Sequence, residues 1–98
     1  MSAERCDMLA FVIALHDEAN SVDIHPQARA VVETYFAQMF EDLNDVHRVV
    51  HLMNLVRHRL ADEMRWHAEI EIADNPMSAV AAVLRRRADE VEAGVRIV

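Results

Sequence analysis

The sequence predicts an all-α fold, and three observations carry that expectation. Gly occurs once and Pro twice in 98 residues, while 53% of the residues are hydrophobic. A β protein of this size would need turn residues between its strands. Apolar residues also recur at helical spacing along most of the chain. Finally, the stretch 26–73 contains neither Gly nor Pro after its first residue and holds one broad apolar stripe. Read at steps of four and three, it runs Ala28, Val32, Tyr35, Met39, Asp42, Val46, Val49, Met53, Val56, Leu60, Glu63, His67, Ile70. Where the line fails at Asp42 and Glu63, the next residue is Leu43 or Met64.

Taken in order, a first helix is expected over 3–19, with Ser2 as its cap. Its apolar set of Met8, Leu9, Phe11, Val12, Ile13, Leu15 and Ala19 is wide, so cover on more than one flank is expected. Asn20 suits a helix end. Pro26 holds His25 extended and fits a first helical turn, so a second helix starts there. Asp74-Asn75-Pro76 marks the next boundary, with Asn75 as cap and Pro76 at the first helical position. A last helix over 76–93 is expected to bury Met77, Val80, Ala81, Leu84, Ala88 and Val91. Arg85–Asp89 and Arg86–Glu90 would pair on its outside, and Gly94 would close it.

The segment Glu41-Asp42-Leu43-Asn44-Asp45 is the place where the long stretch could break, since several of its residues are poor helix formers. Two considerations favour continuity. A helix ending here would carry acids and no Arg in its last turn, the wrong sign for its dipole. The stripe also crosses the segment without losing phase. A helix over 26–73 would be about 72 Å long at 1.5 Å per residue. A compact chain of this size has a radius of gyration of about 13 Å, so such a helix must reach beyond its own partners. The expected architecture is therefore one long central helix with two shorter helices packed on it, in a dimeric helical bundle. Val46, Val49, Met53, Val56 and Leu60 would form the homodimer interface. The alternative is a monomeric four-helix bundle with a break near Asn44.

Composition narrows the function. The net charge is −7, and every basic residue is Arg. An acidic chain repels phosphate backbones, so nucleic acid is not an expected partner. Without lysine there is no Schiff base and no P-loop. The single cysteine, Cys6, forms no intrachain disulfide and is expected as a small buried hydrophobe. The apolar run 8–15 falls well short of the ~20 residues of a membrane-spanning helix. Glu4 and Asp7 beside Arg5 deny it a signal peptide's basic start. A cytoplasmic protein is expected, away from membranes.

His47, His51 and His58 share one face of the long helix, and imidazoles so spaced can hold Zn²⁺ or Ni²⁺. That face lies opposite the apolar stripe, with no Cys near, so these three are weak metal candidates on a solvated surface. No Glu precedes a His by three residues, which removes the di-metal carboxylate bundle. None of the three is followed by Lys and Gly as in histidine phosphotransfer domains. Arg57 and Arg59 flank the stripe, but a chorismate-mutase-like pocket lacks its lysine. His67 falls on the apolar line, where Glu63 or Glu71 would hold its ring. No catalytic residue and no cofactor are assigned.

A second apolar flank runs Leu52, Leu55, Trp66, Ile70, bordered by Arg48 and Arg59. Trp and Arg together are typical interface anchors. The functional expectation is a small regulatory interaction protein that presents helix faces to another protein, as an antagonist, adaptor or immunity-type binder. Its partner interface would comprise Leu52, Leu55, Arg59, Trp66 and Ile70. The acidic net charge points to a partner with a basic surface.

Overall fold

The computed structural model describes residues 3–93, and side chains from Asp7 onward. The expected cap at Ser2, the surroundings of Cys6, and the helix end at Gly94 with the tail beyond it lie outside the described residues. Among the described residues there are four helices and no strand: α1 (Ala3–Asn20), α2 (Pro26–Glu41), α3 (Val46–Asp74) and α4 (Ala79–Ala93).

The expected single helix over 26–73 is corrected: it is two helices joined by a turn at 42–45. Asp42 ends α2, its N–H donating to the Gln38 and Met39 carbonyls. The Asp45 N–H then closes the turn onto the Asp42 carbonyl at 2.8 Å, and the Asp45 carboxylate caps α3 by accepting from the Arg48 N–H. The cation missing from the end of α2 is supplied across the turn by Arg48. Its Nε donates to Asp42 Oδ2 at 2.8 Å and its Nη2 to Gln38 Oε1 at 3.2 Å. The unbroken phase also has a physical reason. A turn of this length replaces about one helical turn of 3.6 residues, and Leu43 inside it still enters the core.

All four helices bury one stripe into a common core. α1 contributes Met8, Val12, Leu15 and Ala19, each one helical turn from the next. α2 contributes Ala28, Val32, Phe36 and Met39, and α3 contributes Val49, Met53, Val56, Leu60 and Met64. Val22 and Ile24 in the first connection close one end. There, Arg29 ties the end of α1 by donating to the Val22 carbonyl at 2.9 Å and the Ala19 carbonyl at 3.3 Å, a cation where the helix dipole favours one. The wide apolar set of α1 is covered on one flank only, since Leu9 and Phe11 are half-buried and Ile13 is exposed.

The start of α4 is also corrected. Asn75 makes a local turn, accepting from the Met77 N–H, and Ser78 is the cap, its Oγ accepting from the Ala81 N–H. The helix therefore begins three residues later than Pro76 suggests. Met77 is 89% exposed and Val80 is exposed too, Leu84 is half-buried, and Ala81, Ala88 and Val91 remain in the core. The expected Arg85–Asp89 and Arg86–Glu90 pairs do not form among the described residues; Asp89 pairs with Arg65 of α3 and Arg87 with Glu18 of α1 instead.

The molecule measures 51 × 26 × 17 Å with a radius of gyration of 14.8 Å, well short of a 72-Å rod. No helix among the described residues is long and apolar enough to cross a membrane. Asp45→Ala tests the break by the sign of its effect. As a helix cap, Asp45 is expected to contribute about 0.5–2 kcal/mol, so urea denaturation of the variant should show a loss of that size. In a continuous helix the same change would stabilise, because Ala is the better helix former. Phe36→Ala is expected to cost about 3–5 kcal/mol in the same measurement, as for a fully enclosed aromatic.

Candidate functional site

The residues assigned to a dimer interface are used within the chain. Val49, Met53, Val56 and Leu60 are enclosed by the other helices, which leaves Val46 as the one exposed member of that set. A dimer built on that stripe would have to open the core first.

The proposed partner interface divides as well. Leu52 is buried, whereas Leu55, Arg59, Trp66 and Ile70 are exposed on one side of α3, with Trp66 at 49% and Ile70 at 44%. Arg59 and Trp66 border a shallow cleft of about 380 Å³ against the start of α2, where His25, Gln27, Ala28, Asp62 and Glu63 complete the rim. This strip brings an aromatic, an aliphatic side chain and a guanidinium together at the surface. The Trp66 indole lies edge-on to the His67 ring, centroids 5.2 Å apart.

His67 is not held by either glutamate. Its Nε2 is buried with no hydrogen-bond partner, while Glu63 Oε2 accepts from the His25 N–H at 3.4 Å.

His47, His51 and His58 are all exposed, and the structure does not bring them together around one point. His58 instead meets acids: its Nε2 is 3.4 Å from Asp62 Oδ2 and its Nδ1 is 4.0 Å from Glu92 Oε2. These three could each offer one atom to a cation. Arg65 competes for that position by donating to Glu92 and, at 2.9 Å, to Asp89. The hydrogen bonds that Arg65 donates to Glu92 and then Asp89 push its guanidinium above the ordinary arginine pKa.

The residue that the sequence did not single out as buried is Arg57. Only 8% of it is exposed, and it is the one buried charged residue among those described. No hydrogen bond or ion pair holds its guanidinium among the described residues. Burial lowers its pKa from the ordinary arginine value, and the Glu18 carboxylate offsets this in part. Arg57 lines a groove of about 740 Å³ that runs between α1 and α4. Phe11 and Leu15 form one wall, and Val83 and Val91 form the other. Across the groove mouth, Arg87 donates to Glu18 Oε1 through Nη2 at 3.1 Å and to Ser21 Oγ. A signal for Arg57 did exist in the spacing. It stands four residues after Met53, four before Ala61 and seven before Met64, all of them buried, and so lies within the stripe and not beside it.

No protein-family model, curated protein or solved structure matches this chain. Zn²⁺ titration followed by imidazole NMR is expected to show micromolar or weaker binding. His58 should respond before His47 and His51, and Glu92→Gln should remove that difference.

Proposed function

We propose that this chain is a small, non-catalytic regulatory protein that acts by presenting the exposed face of α3 to another protein. The observation that supports the reading most is the strip Leu55, Arg59, Trp66 and Ile70, which α1, α2 and α4 leave uncovered. Trp and Arg are the side chains most often found at the energetic centre of interfaces. A strip carried on a long, well-packed helix is also rigid before binding, which lowers the ordering cost of association. The mechanism is occlusion: the helix face covers a surface that the partner needs for something else. A net charge of −7 favours a partner with a basic surface and makes encounter dependent on salt.

Capture from source lysate, with the wild-type chain and Trp66→Ala compared side by side, tests this. A partner is expected that is retained by the wild type, released as salt rises, and lost from Trp66→Ala. Truncating an anchor of this kind is expected to weaken binding by about 2–4 kcal/mol. The melting temperature should stay within experimental error, because Trp66 is not part of the core. The same proteins bound equally by both forms would remove the strip from consideration.

A further inference from the structure

Arg57 calls for a physical explanation. Little of Arg57 is exposed, yet its guanidinium nitrogens are not among the side-chain atoms sealed from water without a partner, and the residue lines an open groove. Glu18 is the opposing charge that acts on Arg57, and its Oε1 is already engaged by Arg87. The groove that Arg57 lines is also not a packing accident of two touching helices. No Cα of α1 comes within 8 Å of one in α4 among the described residues, so α1 and α4 stand apart with α3 as the floor between them.

We propose that this groove is a binding site for a small amphipathic carboxylic acid, with its carboxylate on Arg57 and its apolar body between Phe11 and Leu15 on one side and Val83 and Val91 on the other. The volume of about 740 Å³ lies in the range of small-molecule sites and is far larger than an inorganic ion requires. The walls are aliphatic and aromatic, so the occupant gains by burying an apolar body. Its charged end must be anionic, because Arg57, Arg86 and Arg87 all line the groove. It must also carry a single charge, because Glu18 and Glu90 line the same groove and would repel a dianion. A planar carboxylate matches the two-pronged donor geometry of a guanidinium.

The groove and the exposed strip are separate. Arg57 and Trp66 are nine positions apart on α3, which places them about 180° apart around the helix. Either proposal can fail without the other.

The test uses the full chain and three probes: decanoate, decanol with the same body and no charge, and acetate with the charge and no body. Titration is followed by calorimetry and by amide shifts. Decanoate is expected to bind with one-to-one stoichiometry and to shift Phe11, Leu15, Val83 and Val91. Decanol and acetate should each bind at least about tenfold more weakly. Arg57→Leu should weaken decanoate binding by roughly ten- to a hundredfold, the contribution of a hydrogen bond to a charged group. Its melting temperature should be little changed, because no hydrogen bond or ion pair among the described residues ties the Arg57 guanidinium to another helix. Val83→Asp sits at an exposed position on the rim and serves if Arg57→Leu does not fold. It should abolish decanoate binding by placing a carboxylate in the groove.

Three outcomes overturn the proposal. One is decanoate and decanol binding alike. Another is decanoate failing to bind below its micellar range. The third is Arg57→Leu lowering the melting temperature while leaving decanoate binding intact, which would make Arg57 a purely structural residue.

Discussion

Burial of one face of α3 is the constraint on which the rest of the molecule depends. This helix is the longest, and Val49, Val56 and Leu60 on it are completely enclosed, with Met53 and Met64 nearly so. No single partner helix is long enough to cover that face. α4 packs most closely on α3 and is about half its length. α1 and α2 must therefore cover what α4 leaves, and the chain can bring them there only by folding back at 42–45. The turn follows from the need to cover α3, and Asp42, Asp45 and Arg48 supply the hydrogen bonds that let the chain make it.

The same constraint leaves surfaces unfilled. Because α1 and α4 each approach α3 from their own side, their backbones stay more than 8 Å apart, joined among the described residues only by Arg87 on Glu18, and a groove remains between them with Arg57 in its floor. On the far side of α3, Leu55, Trp66 and Ile70 have no helix over them. The three other described helices are too few to surround one as long as α3, so some of its apolar surface stays outside. Function is proposed at both of these uncovered places. In each, the observation is local: an indole and a guanidinium exposed on one face, and a guanidinium at the floor of an apolar-walled groove on the other.

Arginine does the joining throughout. Arg29 reaches back from α2 to the end of α1, Arg48 spans the turn between α2 and α3, Arg65 links α3 to α4, and Arg87 links α4 to α1. Each guanidinium makes at least two hydrogen bonds in a fixed fork, which a lysine could not reproduce. These links lie at or near the surface, where an ion pair contributes about 0–1 kcal/mol. Their role is to fix how the helices are set against one another, while the apolar core supplies the stability.

The sequence by itself determined the helices. The scarcity of Gly and Pro, the spacing of Ala28, Val32 and Met39, and that of Val49, Met53 and Leu60 were enough, because helical periodicity is a local property. It also named Leu52, Leu55, Trp66 and Ile70 as an apolar flank; the structure buries Leu52 and leaves the other three exposed. Only tertiary structure decided the rest. Continuity through 41–45 rests on a missing cation and on the unbroken phase of the stripe; the cation comes from Arg48 in the next helix, and the turn spans about one helical turn and so keeps the phase. The stripe from Val49 to Leu60 looked the same whether a second chain or the chain's own helices covered it, because periodicity records that a face is buried and not by what. Arg57 is placed by the sequence, with Arg59, on the flank of the stripe. Its place among Met53, Ala61 and Met64 becomes visible only when α1 and α4 stand on either side of it.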